Sequence, residues 1–157
     1  IKLGKVQSRA ITGLGDWESK RLLLVKPQTY MNLSGDAILS LLKYYKIPIN
    51  QLMVVHDDLD LPLGTIRIRS SGGAGGQKGM ASIIKRLDTQ NFSRMRIGIG
   101  RPPGQMQASD YVLEDFLSGE RDVLEEVLKR ASEAIRVFIS SGVDQAMTQF
   151  NSLPKKD

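Results

Sequence analysis

Apolar positions along the chain follow two periods. Residues 21 to 26, "RLLLVK", are apolar along almost the whole stretch and predict a buried strand. From 34 to 46 the period lengthens to that of a helix. Ile38, Leu41, Leu42 and Tyr45 share one face, Ser34 stands where an N-cap belongs, and Pro48 stops the run. "QLMVVHDD" predicts a second buried strand that ends in acids. "GTIRIRS" alternates strictly, with Thr65, Arg67 and Arg69 on one face and Ile66 and Ile68 on the other. A glycine loop, "SGGAGGQ", leads into a short helix, "KGMASIIKRLD". "SRMRIGIG" predicts another strand, setting Arg94 and Arg96 against Met95 and Ile97. Residues 119 to 141 predict a long helix with Leu124, Val127, Leu128, Ala131, Ile135 and Phe138 inward and Gly142 as its C-cap. A short helix to about Phe150 follows, and residues 151–157 are expected to fray. No repeat, low-complexity tract or linker interrupts the order. Strands alternating with helices predict one α/β domain over 1–157, with a mixed, largely parallel sheet and some hairpin pairing.

Composition narrows the classes. The 157 residues suffice for one domain with a real core. No apolar run is long enough to span a bilayer, and "IKLGKVQSRA" lacks the apolar stretch of a signal peptide. Without cysteine there is no disulfide framework, thiolate nucleophile or thiolate metal site. Lys and Arg total 22 against 17 Asp and Glu, a net charge of +5, which allows a polyanionic partner without demanding one.

Several motifs nearly match and fail. "GGAGGQKGM" lacks the Gly before Lys78 and the Ser or Thr after it that a phosphate loop needs. "DDLDLPLG" begins like a calcium loop, but Pro62 and Leu63 occupy positions that need an oxygen ligand and a Gly. Asp57 and Asp58 offer at most a weak magnesium site. A serine hydrolase would need a base beside a strained Ser, and His56 is the one histidine.

What remains is a set of polar residues at strand ends. "VKPQTYMNLSG" spends Tyr30, Met31 and Asn32 on a strand-to-helix connection that Gly, Pro, Asp or Ser would make more simply. Asn32 follows the first strand, His56, Asp57 and Asp58 end the second, and the glycine loop with Lys78 follows the third. Open α/β sheets bind ligands beyond the carboxyl ends of their strands, so these loops are expected to converge. Singly, each residue reads as readily as a turn former or strand terminator. If the two Arg-bearing strands are neighbours, their guanidiniums face one side and suit phosphate. A solvated sheet face is the plainer alternative.

"VKPQTYMNLSG", "VVHDDLDLPLGTIRIR", "GGAGG" and "FSRMRIGIGRP" together resemble the bacterial-type peptidyl-tRNA hydrolase family, over about residues 13–150. The resemblance implies a single-domain mixed sheet with helices on both faces. The implied reaction is hydrolysis of the ester joining a peptide to the 3′ ribose of tRNA, with no cofactor and no metal. Asn32 resembles the Asn that positions water and scissile carbonyl. Asp57 resembles the carboxylate that orients the catalytic His, which leaves His56 as a structural neighbour. Tyr30 and Met31 resemble residues lining the cleft for peptide and terminal adenosine. Arg69 and Arg96 match positions that clamp the tRNA 5′ phosphate, and Lys78 could add a phosphate contact. The implied partner is tRNA, with no membrane, for a monomer of the bacterial cytoplasm or of an organelle. Two departures stand out. Residue 1 falls after the place where the family carries its first strand, a Gly-Asn-Pro-Gly-like turn and the His segment, so a partial chain without the general base is expected. Gln77 and Lys78 replace the usual His-Asn pair. The alternative is a non-catalytic relative, such as a plastid group II intron splicing factor, or an RNA-binding fragment.

Overall fold

The computed structural model describes residues 1–152, so residues 153–157 of the tail expected to fray lie outside the described residues. The order is β1 (Lys5–Gln7), β2 (Ala10–Trp17), β3 (Lys20–Pro27), a 3-10 turn (Met31–Leu33), α1 (Ser34–Tyr45), β4 (Met53–Asp58), β5 (Ile66–Arg69), α2 (Lys78–Leu87), β6 (Ser93–Gly98), α3 (Ala108–Tyr111), α4 (Arg121–Ser141) and α5 (Val143–Phe150). Short 3-10 turns also precede β4 and α4. The chain divides into two compact units, Ile1–Leu52 with Ser71–Phe92, and Met53–Ser70 with Ser93–Asp157.

The first unit holds a sheet of order β1-β2-β3, antiparallel throughout. Its core joins Ala10, Ala37 and Leu41, with Leu23, Val25 and Tyr45 packed against them, so α1 covers one face of the sheet. α1 lies against α2 at Gly35, whose N–H donates to Ser82 Oγ at 2.9 Å. Asp36, in the first turn of α1, accepts from both Arg9 and Arg86, which ties the β1–β2 turn to the end of α2.

The second unit holds a sheet of order β4-β6-β5, with β4 parallel and β5 antiparallel to the central β6. Ile66, Ile68 and Met95 are buried against Val127, Ala131 and Ala134 of α4 and Ala146 of α5. Gly142 closes α4, as its position in the sequence predicts, donating its N–H to Phe138 O.

The α/β class with mixed pairing is as expected, and five details differ. Two three-stranded sheets form, and one of the four strand pairings is parallel. β1 and β2 carry weak strand signals because Gly13 and Gly15 interrupt β2. Ser34 is the first helical residue rather than the N-cap, and its hydroxyl donates to Met31 O at 2.8 Å. Leu128 is half exposed, and Ala134 takes the inward place on the stripe. Asn151 is anchored to β5 through both ends of its carboxamide, so fraying does not begin there.

Candidate functional site

In the first unit, Tyr30, Met31 and Asn32 form the tight turn between β3 and α1. Met31 is its anchor: the carbonyl accepts from Ser34 Oγ, and the sulfur lies 3.6 Å from Gln77 Nε2. Gln77 is the N-cap of α2, its Oε1 accepting from Met80 N at 2.8 Å. One amide thus caps a helix with its oxygen and holds Met31 with its nitrogen. Gly79 makes room for this contact, since a Cβ there would stand 2.6 Å from the Met31 sulfur. Gly75 and Gly76, at φ 59° and 84°, supply the left-handed backbone that turns the loop into α2. With Met31 pinned, its neighbours point outward. Tyr30 is 83% exposed, and Asn32 is exposed with no hydrogen bond to its carboxamide among the described residues. Lys78 is the exposed first residue of α2.

In the second unit, Asp57 and Asp58 end β4 on opposite faces. Asp57 is in register with Ile97, on the side of the sheet that carries the core. His56 is in register with Arg96, on the other side. The β5–β6 register sets Arg67 opposite Arg96 and Arg69 opposite Arg94, so four guanidinium side chains share that face. Their surroundings differ. Arg94 is 3% exposed, and burial pulls its pKa below the ordinary value. Arg67 Nη1 donates to Asn151 O at 3.2 Å. Arg96 Nε donates to Asp58 Oδ2 at 2.6 Å, with the two side chains 30% and 12% exposed. Arg69 is exposed, and its side chain makes no hydrogen bond or ion pair among the described residues. Burial would raise the Asp58 pKa, but the Arg96 bond, the Asp60 N–H and the charges of Arg96 and His56 outweigh it and hold the carboxyl below its ordinary 3.8. His56 Nδ1, when it carries the ring proton, donates to the Asp57 carbonyl at 2.7 Å.

The candidate residues therefore fall into two groups, Tyr30, Met31, Asn32 and Lys78 in the first unit and Asp57, Arg69 and Arg96 in the second. Two contributors escape a residue-by-residue reading. Gln77 matters through its amide geometry, for which a Gln at the end of a glycine loop gives no signal. Asp58 matters through its pairing with Arg96, which only the β4–β6 register reveals.

The family model described as Peptidyl-tRNA hydrolase matches residues 2–157. The chain is 48% identical over 151 residues to a peptidyl-tRNA hydrolase of Carboxydothermus hydrogenoformans, covering 96% of this chain and 80% of the relative. It is 53% identical over 135 residues to one from Chloroflexus aggregans, covering 85% and 72%. The crystal structure of the Acinetobacter baumannii peptidyl-tRNA hydrolase superposes with a TM-score of 0.88 at 33% identity, covering 96% of this chain and 77% of that one. The chain belongs to the peptidyl-tRNA hydrolase family.

Proposed function

We propose that this protein acts on peptidyl-tRNA, in the hydrolysis of the ester between a peptide and the tRNA 3′ ribose, and that the exposed, pinned Asn32 is its central contributor. One observation carries the assignment of Asn32. Its carboxamide has no partner among the described residues, while Met31 and Ser34 on either side hold the turn still. A carboxamide in that state can donate to the oxygen that gains charge as the ester is attacked, and can accept from the attacking water. Asp57 is the carboxylate that orients a catalytic imidazole. Tyr30 and Met31 contact the peptide and the terminal adenosine. Lys78, Arg69 and Arg96 contact phosphate, with the unpaired Arg69 as the primary cation.

His56 is not the water-activating base. Its Nδ1 is engaged by the adjacent Asp57 carbonyl at 2.7 Å. No other side chain among the 157 residues matches the family's catalytic His. The 157-residue chain is accordingly expected to bind peptidyl-tRNA and to leave its ester intact. Single-turnover release of peptide from N-acetyl-aminoacyl-tRNA tests this. Release at the uncatalysed rate is expected, and release well above it, abolished by His56→Ala, would make His56 the base.

A further inference from the structure

Arginines directly opposite one another on neighbouring strands repel, so the ladder of Arg67 against Arg96 and Arg69 against Arg94 requires counter-groups. Asp58 supplies one, in a specific way. Its Oδ1 accepts from the Asp60 backbone N–H at 2.7 Å, and its Oδ2 accepts from Arg96 Nε at 2.6 Å. Both oxygens are thereby fixed, and the carboxylate takes one of the five N–H donors that a guanidinium offers. Among the described residues, the four donors on the two terminal nitrogens of Arg96 make no hydrogen bond. Arg69 stands diagonally across from Arg96 on the same face, a separation of roughly 7–8 Å between positions that long side chains bridge.

We propose that Asp58 is a positioning residue for phosphate recognition, gripping Arg96 by its Nε edge so that the terminal nitrogens meet a phosphate monoester bidentately, with Arg69 on the other side. This rests on the reading of Arg69 and Arg96 as contacts for the tRNA 5′ phosphate. Asp58 is not a rival anion in the phosphate's place. A rival would occupy the terminal fork, whereas Asp58 holds the Nε side and is itself tethered to Asp60. The guanidinium is pre-aimed, so less side-chain freedom is lost when phosphate arrives.

The test measures the dissociation constants of the 157-residue chain, wild type and Asp58→Asn, for deacylated tRNA bearing its 5′ monophosphate and for the same tRNA after phosphatase treatment, at one salt concentration. Wild type should prefer the phosphorylated tRNA by about tenfold, the scale of one charge-assisted hydrogen bond. In Asp58→Asn the preference should fall to about twofold or less. Affinity for the dephosphorylated tRNA should hold or rise, because a negative charge has left a basic face. A purely structural role would weaken both ligands alike and leave their ratio unchanged. Wild type without preference would overturn the phosphate contact and the positioning role together. Wild type with preference and Asp58→Asn with an equal or larger one would overturn the role of Asp58 alone. Should Asp58→Asn not fold, as judged by its circular dichroism, Arg96→Lys decides. It keeps a cation beside Asp58 but offers one ammonium to both acceptors, so the preference should again collapse, and its retention would overturn the proposal.

Discussion

Asn151 does for β5 what another strand would do. β5 is an edge strand, and its outward N–H and C=O at Ile68 are satisfied by one side chain. Ile68 N donates to Asn151 Oδ1 at 2.7 Å, and Asn151 Nδ2 donates to Ile68 O at 3.0 Å. Ile68 itself is fully buried. In Asn151→Ala both backbone groups lose their partner, at about 1–3 kcal/mol each. A cavity of about 170 Å³ adjoins the site, bordered by Ile66, Phe150 and Asn151, and can admit water to part of the gap. The expected destabilisation is therefore about 2–4 kcal/mol, below the simple sum of the two losses. Asn151→Asp is the sharper variant. It keeps the acceptor for Ile68 N–H but sets a carboxylate oxygen against Ile68 C=O, which the neutral acid relieves. Its folded-state pKa is then raised, so this variant gains stability as pH falls through that value, while wild type gains nothing from this site. Urea midpoints at several pH values, with hydrogen exchange at the Ile68 amide, read the effect. An Asn151→Ala variant within 0.5 kcal/mol of wild type, or an Ile68 amide equally protected in both, would refute the reasoning.

Three other perturbations follow from the same geometry. Gly79→Ala should leave the unfolding free energy in urea within about 1 kcal/mol of wild type, because a helix gains from Ala what displacing the flexible Met31 sulfur and the Gln77 carboxamide end loses. The Met31 methyl resonance should nevertheless move, and affinity for peptidyl-tRNA should drop; an unmoved resonance contradicts the packing described. The depressed Asp58 carboxyl contributes stability that is complete above its unfolded value of 3.8 and is lost as pH falls through its lower folded value. Asp58→Asn should flatten stability against pH in that acidic range, as urea midpoints below pH 4 would read. In a peptidyl-tRNA hydrolase with a complete set of catalytic groups, removing the carboxamide equivalent to Asn32 by substitution with Ala should raise the barrier by about 2.7–4 kcal/mol if it acts as an oxyanion donor. An unchanged single-turnover rate would dismiss the role.

Much of this architecture is legible in the chain because its period is strong. "TIRIR" and "SRMRIG" alternate without exception, and the faces they predict are those observed, with Ile66, Ile68 and Met95 buried and the arginines on the reverse. In the sheet ahead of them β3 is legible from its apolar run, but the antiparallel pairing of β1 with β2 and of β2 with β3 is not. The two turns of this sheet place Ser8, Arg9, Glu18 and Ser19 at positive φ, where Gly or Asn would have announced a hairpin. Gly15 in β2 lies under the Ile1 side chain, 2.9 Å from where a Cβ would stand, so a contact from outside the strand explains a residue that local propensity opposes. At the site, Asn32 is legible as an unusual choice for a connection. The use of Gln77 and Asp58 depends on cross-strand register and on the approach of α2 to the Met31 turn, which no window of sequence contains.

Recognition of the peptidyl end together with the tRNA is what the proposed function requires. Its most direct test compares the affinity of the 157-residue chain for an amide-linked, non-hydrolysable peptidyl-tRNA with that for the same tRNA deacylated. The peptidyl form should bind more tightly, with the difference lost in Asn32→Ala. Equal affinity for the two forms would mean that the protein holds tRNA without reading its peptide, and would contradict the proposed function.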